Sequence, residues 1–258
     1  MIKPAIQYLA LGLSSVLFLF PLAWMIGRAL GAPHDIGINY FTQVWSSELF
    51  GRYFLNSLIV SASITILNLL LCSMGGFYLA RYQSIFSKSM FWTIILTLVV
   101  PVPVLMIPLY LVISALGWLD TYWALILPWA VTPLGLFLMK QHFEKMPVSI
   151  EESARMDGAG DYTILFRIVM PMSRPALAVL GIYTFIQSWN QFLFPFLLVD
   201  SAAMRTLPVG LAFFHSYQDI SVAGLMAGAG IASIPMIAVF LLFQRQIIAG
   251  LTQGALKE

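Results

Sequence analysis

The chain has 258 residues, 60% hydrophobic and 9% charged, with a mean hydropathy of +0.89. A soluble domain carries roughly 25% charged residues, so water is excluded as the solvent for most of this surface and lipid takes its place. A net charge of +2 gives no nucleic-acid signal, and a single cysteine, Cys72, excludes an internal disulfide and a cysteine-rich metal site.

At roughly 20 residues per span, the apolar runs predict an all-α polytopic membrane protein with six transmembrane helices. They cover about residues 8–27, 54–79, 90–113, 122–139, 176–198 and 222–243. A cleaved leader is the rival reading of the first run, but no clean small-x-small site comes after it, so a retained span is expected. The second run carries Asn56, Ser57, Ser61, Ser63, Thr65 and Asn68. These read first as interhelical hydrogen bonds, worth about 0.6 kcal/mol each in lipid, and second as the lining of a path. Pro101, Pro103 and Pro108 predict that the third run is bent or partly unwound. That bend is either a packing kink or a feature that shapes a pathway. The fourth run is the shortest and contains Pro128 and Pro133.

In the fifth run, Gln187, Ser188, Trp189 and Asn190 place two amides and a hydroxyl beside a flat ring. Such a set suits the hydroxyls and apolar face of a sugar, and it suits helix packing equally well. In the sixth run, Gly224 and Gly228, with Ala223 and Ala227 offset by one, predict a close helix contact within the chain or with a second subunit; Gly75–Gly76 is ambiguous in the same way. No ionisable residue lies deep in any run, which argues against a proton relay.

Six spans put both termini on one side. That side holds Lys3, Arg81, Lys88, five bases between 140 and 175, Arg245 and Lys257, ten in all; the other holds Arg28, Arg52 and Arg205. The bias makes the first side cytoplasmic.

Residues 140–175, between runs four and five, hold five of the 13 basic and five of the 11 acidic residues. Pro147 can open a helix over Val148–Met156, with Ser149 as N-cap and Glu152 as its capping-box partner. Ile150 and Ala154 project to one side, with Glu151, Glu152 and Arg155 on the polar remainder. Asp157-Gly158-Ala159-Gly160-Asp161 signals a turn in which the glycines take positive φ and the aspartates cap the next helix. Tyr162–Val169 then forms a second helical run, and Pro171 and Pro175 lead back to the membrane. A solvated linker lying on the headgroups is the bland alternative, but adjacent spans need only a few connecting residues. Small residues in the turn leave little bulk to seek lipid and let a partner approach the backbone.

This segment resembles the EAA signature of ABC importer permeases. Glu152-Ser153-Ala154, Gly158 and Ile168-Val169-Met170-Pro171 stand at the signature's spacing, with Ser153 where the family usually has Ala. Met156-Asp157-Gly158-Ala159, Trp189-Asn190-Gln191-Phe192 and the ending Gly250-Leu251-Thr252-Gln253-Gly254-Ala255-Leu256-Lys257 are similar to the carbohydrate branch, so the likeness covers about residue 50 to the end.

The resemblance implies a single transmembrane permease domain over 1–258, with the loop of about 140–175 as a helix-turn-helix that couples to a separate ATPase. The implied ATPase-coupling residues are Glu151, Glu152, Ser153, Ala154, Asp157, Gly158 and Ala159. Glu152 either pairs with a base of the partner or caps its own helix. The implied partners are a second six-span permease subunit, two cytoplasmic ATPase subunits, an extracytoplasmic solute-binding protein and a carbohydrate. The bacterial inner membrane is the implied location.

The chain has no Gly-x-x-x-x-Gly-Lys-Ser/Thr phosphate loop and no motif for acid–base or nucleophilic catalysis. It is therefore expected not to be an enzyme and to hold no cofactor, with ATP and Mg bound by the ATPase partner. His34, His142 and His215 are dispersed, which argues against a shared metal, and His142 is expected to face solvent or headgroups. A secondary transporter of small polar solutes and a membrane anchor that transports nothing are the alternatives. The first leaves the polar loop unexplained, and the second predicts no ligand-stimulated turnover.

Overall fold

Lipid offers no hydrogen bonds to a backbone N–H or C=O, so a chain that crosses it does so as helix or closed barrel. The computed structural model describes residues 4–30, 40–217 and 221–255, without the side chains of 4, 5, 7, 214–217 and 245–255. The side chains of Lys3, His34, His215, Arg245 and the 250–257 tail therefore lie outside it. Its regular elements are all helical: α1 Pro4–Ala29, α2 Tyr40–Trp45, α3 Phe50–Arg81, α4 Ile85–Thr97, α5 Met106–Ala115, α6 Tyr122–Ile126 and α7 Pro133–Glu144. Next come α8 Val148–Met156, α9 Asp161–Ile164, α10 Met170–Met172, α11 Arg174–Trp189, α12 Leu193–Leu198, α13 Leu207–Tyr217 and α14 Val222–Ala255.

Four stretches are long and apolar enough to cross a membrane: Tyr8–Ala29, Phe50–Arg81, Tyr122–Glu144 and Val222–Gln244. Two more qualify only as bent pairs, Ile85–Thr97 with Val102–Ala115 at 101° and Asp161–Met172 with Arg174–Trp189 at 82°. The described residues thus give four to six candidate spans. The third expected span is broken where its prolines fall, with Pro101 capping a 3₁₀ turn over Val102–Leu105. The fourth pauses in a 3₁₀ turn at Leu127–Trp129 and restarts with Pro133 at the head of α7. It then runs on to Glu144, so the polar segment begins inside a helix. The fifth stops at Trp189, and α12 is a separate piece.

Helix α3, 32 residues long and so about 48 Å, is the central element, packed against α7 and α11. Two glycines make the α3–α7 crossing close. A Cβ at Gly76 would stand 2.7 Å from Met139 Cβ and 2.9 Å from the Lys140 backbone nitrogen. One at Gly135, from the other side, would stand 2.8 Å from Asn68 Oδ1 and Cys72 Sγ.

Asn56, Ser57 and Asn68 of α3 hold helices together, as the first reading of its polar residues expects, whereas Thr65 Oγ1 donates to Ser61 O of its own helix at 2.7 Å and Ser61 Oγ is buried without a partner among the described residues. Asn68, fully buried, donates to Trp129 O at 3.3 Å and Thr132 Oγ1 at 3.1 Å and accepts from Thr184 Oγ1 at 3.4 Å. Asn56 donates to the carbonyls of Ala203 and Arg205, both at 2.9 Å, and accepts from the Tyr122 hydroxyl at 2.7 Å. Ser57 Oγ accepts from Leu207 N at 2.7 Å. The small face of α14 also finds its partner within the chain: a Cβ at Gly228 would meet Leu211, Phe50 and Val44, and Ala223 and Ala227 are buried beside it.

Replacing Gly76 with Ala forces backbone apart at the α3–α7 crossing, an overpacking cost of about 1–3 kcal/mol. The detergent-solubilised G76A protein is expected to melt below wild type, whereas G51A, whose Cβ meets nothing within 4 Å, is expected to match it.

Candidate functional site

Helix α8 spans Val148–Met156, the range its sequence predicts, but it starts differently. Pro147, at φ −60° and ψ 122°, is the N-cap residue, and no side chain caps the helix. Because the proline ring fixes the approach of the chain, Ser149 already lies inside the first turn. The Ser149–Glu152 capping box does not form; instead the Ser149 carbonyl accepts from Ser153 Oγ at 2.9 Å.

The inward face of α8 carries a charge. Glu151 is 3% exposed, and the guanidinium of Arg81, the last residue of α3, grips its carboxylate. Nε lies 2.8 and 3.0 Å from the two oxygens, and Nη2 lies 2.6 Å from Oε1. Ala154, one turn on, packs with Met139, Phe143, Ile164 and Leu165. Glu152, Ser153, Arg155, Met156, Asp157 and Gly158 are exposed on the other side. The two adjacent glutamates thus have opposite fates, since successive helical residues point about 100° apart.

The turn after α8 adopts a Schellman pattern. Ala159 N donates to Ala154 O at 2.9 Å and Gly158 N to Arg155 O at 3.0 Å, with Gly158 at φ +84°. Gly160 has an ordinary φ of −79° and sits at the N-cap of α9. The aspartates do not cap: Asp157 ends α8, and Asp161 opens α9 with its side chain turned to Tyr82 and Arg155. The Tyr82 hydroxyl donates to Asp161 Oδ2 at 2.7 Å, and Arg155 pairs with Oδ1. The Tyr82 hydrogen bond, and after it the Arg155 one, holds the Asp161 carboxyl below the usual range, while the hydrogen bond to Asp161 raises Tyr82 and Arg155 in turn.

Helix α9 continues through a π turn at Leu165–Val169 into α10, and Pro175 lies in the first turn of α11. The segment is therefore a helical hairpin clamped to the end of α3. It is also less bare than its small residues suggest, since Met156 and Tyr162 are 88% and 73% exposed. Lys140 and Glu144 belong to α7 and pair at 2.6 Å. His142 is half-buried against Phe143, with its Nε2 enclosed and without a partner among the described residues. It sits in the last turn of α7, whose packing turns it inward.

A cavity of about 440 Å³ lies among α3, α7, α11 and the bend after α4, with Trp129, Thr132, Tyr183, Gln187, Ser188, Asn190 and Gln191 in its wall. Three of the four candidate path residues meet there. Trp189 does not: it is 2% exposed, its indole N–H donates to Ala232 O at 3.0 Å, and its ring stacks on Phe185. One step round the helix from Ser188, it faces α14 rather than the cavity. Trp129 and Ser188 line this cavity, while their Nε1 and Oγ atoms are buried without a partner among the described residues. Each such group costs about 1–3 kcal/mol. Sequence reasoning missed Trp129 and Tyr183, which stand alone in apolar runs, and it missed Arg81 as the partner of Glu151. The available signal for Arg81 was a lone guanidinium just beyond the long apolar run of 54–79.

Removing one member of a buried ion pair leaves the other uncompensated, at roughly 3–5 kcal/mol. R81Q is therefore expected to loosen the hairpin, read as faster amide exchange over 148–164. Replacing both partners with apolar residues, R81M/E151L, is expected to recover most of the protection.

The model of the family described as "binding-protein-dependent transport system inner membrane component" matches residues 72–253. The chain is 34% identical over 226 residues to the arabinooligosaccharides transport system permease protein AraQ of Halalkalibacterium halodurans, covering 87% of this chain and 81% of the relative. It is 31% identical over 262 residues to the trehalose/maltose transport system permease protein MalG of Thermococcus litoralis, covering 95% and 94%. Its fold is similar to that of a chain in the crystal structure of a bacterial ABC transporter involved in the import of the acidic polysaccharide alginate, with a TM-score of 0.80 at 22% identity over 95% and 96% of the two chains. With a family match over most of its length and permeases among its relatives, the chain belongs to the inner membrane components of binding-protein-dependent transport systems, the permease subunits of ABC importers.

Proposed function

We propose that the chain is one of two six-span membrane subunits of a bacterial inner-membrane importer that receives a carbohydrate from an extracytoplasmic binding protein. In this reading both termini are cytoplasmic, 1–258 is one transmembrane domain, and two cytoplasmic subunits bind ATP and Mg and hydrolyse the nucleotide. A carbohydrate is the class suggested by relatives named for arabinooligosaccharides and for trehalose/maltose.

The observation that carries the proposal is the two-sided hairpin of α8 and α9. Its inner face is fixed to the bundle through Glu151, Ala154 and Ile164, and its outer face presents Glu152, Ser153, Arg155, Met156 and Tyr162. A solvated linker has no need of a buried ion pair, whereas a lever does. Exposed Met and aromatic side chains beside charges have the composition of an interface core with a polar rim. The ATPase surface meets Glu152, Ser153, Asp157, Gly158 and Ala159; the Schellman turn keeps α8 and α9 at a fixed angle; and the Arg81–Glu151 pair carries the push to α3. ATP binding then biases one of two arrangements of the spans, and substrate delivery outside favours ATPase closure inside.

The second membrane subunit is supported by the bend between α4 and α5. Leu98, Val99 and Val100 are exposed there, and irregular backbone at membrane depth is tolerated only against protein or water. The sugar route passes the cavity, where Gln187, Ser188 and Asn190 offer amide and hydroxyl partners and Tyr183 a flat ring.

A paired substitution on the outer face, M156S/Y162S, removes two interface anchors without touching the buried side. It is expected to leave insertion intact and to lower ATPase copurification about tenfold, the effect of losing one or two central anchors. G158V, which places a β-branched residue at positive φ, is expected to lower transport-stimulated ATP hydrolysis. Wild-type copurification and stimulation in both variants would overturn the proposal.

A further inference from the structure

Where α3 ends and α4 begins, a second cavity of about 240 Å³ opens between the ends of three helices. Its wall combines Tyr82 after α3, Ser87, Lys88 and Trp92 of α4, and Lys140 and Glu144 of α7. Lys140 is already committed. Its ammonium lies 2.6 Å from Glu144 Oε1 and 4.2 Å from the centre of the Phe91 ring, and its side chain is 12% exposed. Lys88 is exposed and forms no ion pair among the described residues. Two ammonium groups against one carboxylate leave the pocket one positive charge in excess.

The helix that carries Lys88 does not present an ordinary polar surface. Ile85, Phe86 and Trp92, on the same helix as Lys88, are 90%, 69% and 64% exposed. An aliphatic and two aromatic side chains beside a lysine are the furniture of a membrane interface, where the rings sit at headgroup level and the lysine reaches the phosphates. Basic pockets between membrane helices are suited to lipid phosphate. We propose that this pocket holds the phosphodiester of a monoanionic phospholipid, of the phosphatidylglycerol class. Lys88 neutralises the phosphate, the headgroup hydroxyls donate to Glu144, and the acyl chains run along Ile85, Phe86 and Trp92. The match of one excess charge to one phosphodiester, together with an acceptor carboxylate at headgroup level, favours this class over phosphatidylcholine, whose headgroup has no hydrogen to donate. The inference rests on the chain lying in a membrane and is independent of what it transports.

The test is native mass spectrometry of the importer purified in mild detergent and loaded with phosphatidylglycerol or phosphatidylcholine, using wild type, K88Q and K88R. Wild type and K88R are expected to retain phosphatidylglycerol. K88Q is expected to need about fivefold more lipid for the same occupancy, the weight of one basic residue at an anionic surface, and phosphatidylcholine is expected not to compete. Because Lys88 is exposed, K88Q is expected to keep its ATPase partners, and their copurification checks its fold. Equal retention by K88Q overturns the proposal. Displacement of the lipid by millimolar inorganic phosphate also overturns it, in favour of a free-phosphate site.

Discussion

The structure depends on a constraint of the solvent: every interruption of a helix within lipid frees backbone groups that only the protein can satisfy. Helix α3, a long unbroken element at the centre of the bundle, supplies side chains for this at two levels. At one end Asn56 and Ser57 hold the backbone of 203–207. In the middle Asn68 holds the Trp129 carbonyl and Thr132 at the break between α6 and α7. At its last residue α3 does something further, for Arg81 grips Glu151 and so fixes α8. A continuous helix that braces broken ones gives the bundle rigid and pliable parts in a defined order.

The Arg81–Glu151 pair is better understood as a positioning device than as a source of stability. Burying two charges costs about as much as their attraction returns, and apolar replacements are often neutral. What the pair supplies is direction: a bidentate guanidinium–carboxylate contact fixes both distance and angle. Met156 then stands outward because α8 cannot rotate without exposing Glu151, and Tyr162 stands outward on α9, whose Ile164 is buried. The neighbouring cluster of Tyr82, Arg155 and Asp161 ties the turn to the same helix end from the solvent side.

Helix α11 shows how one turn can divide its labour. Ser188 and Gln187 line a cavity, while Trp189 faces α14 and closes a packed layer with Phe185 and Phe54. Composition gave all four residues from 187 to 190 equal claim to the path, because Trp serves a sugar face and a helix interface alike. The helical step of about 100° per residue separated them.

The membrane solvent, the helical class and the extent of α8 were all legible in the order of the residues. Apolar run length, charge content and proline are local properties, and lipid leaves a chain with them few choices. Positive φ at Gly158 and irregularity at Pro101–Pro108 were legible too, because those residues limit the backbone directly. The helix boundaries were less legible: α7 absorbs the first five residues of the polar segment, since a polar side chain does not stop a helix that has packing beneath it. Which glutamate turns inward, which glycines bring α3 and α7 together and which of the candidate path residues share a cavity became visible only once the helices were packed. Each is a question of partners distant in sequence, Arg81 for Glu151, Met139 for Gly76 and Ala232 for Trp189, and spacing along one helix carries no information about what stands opposite.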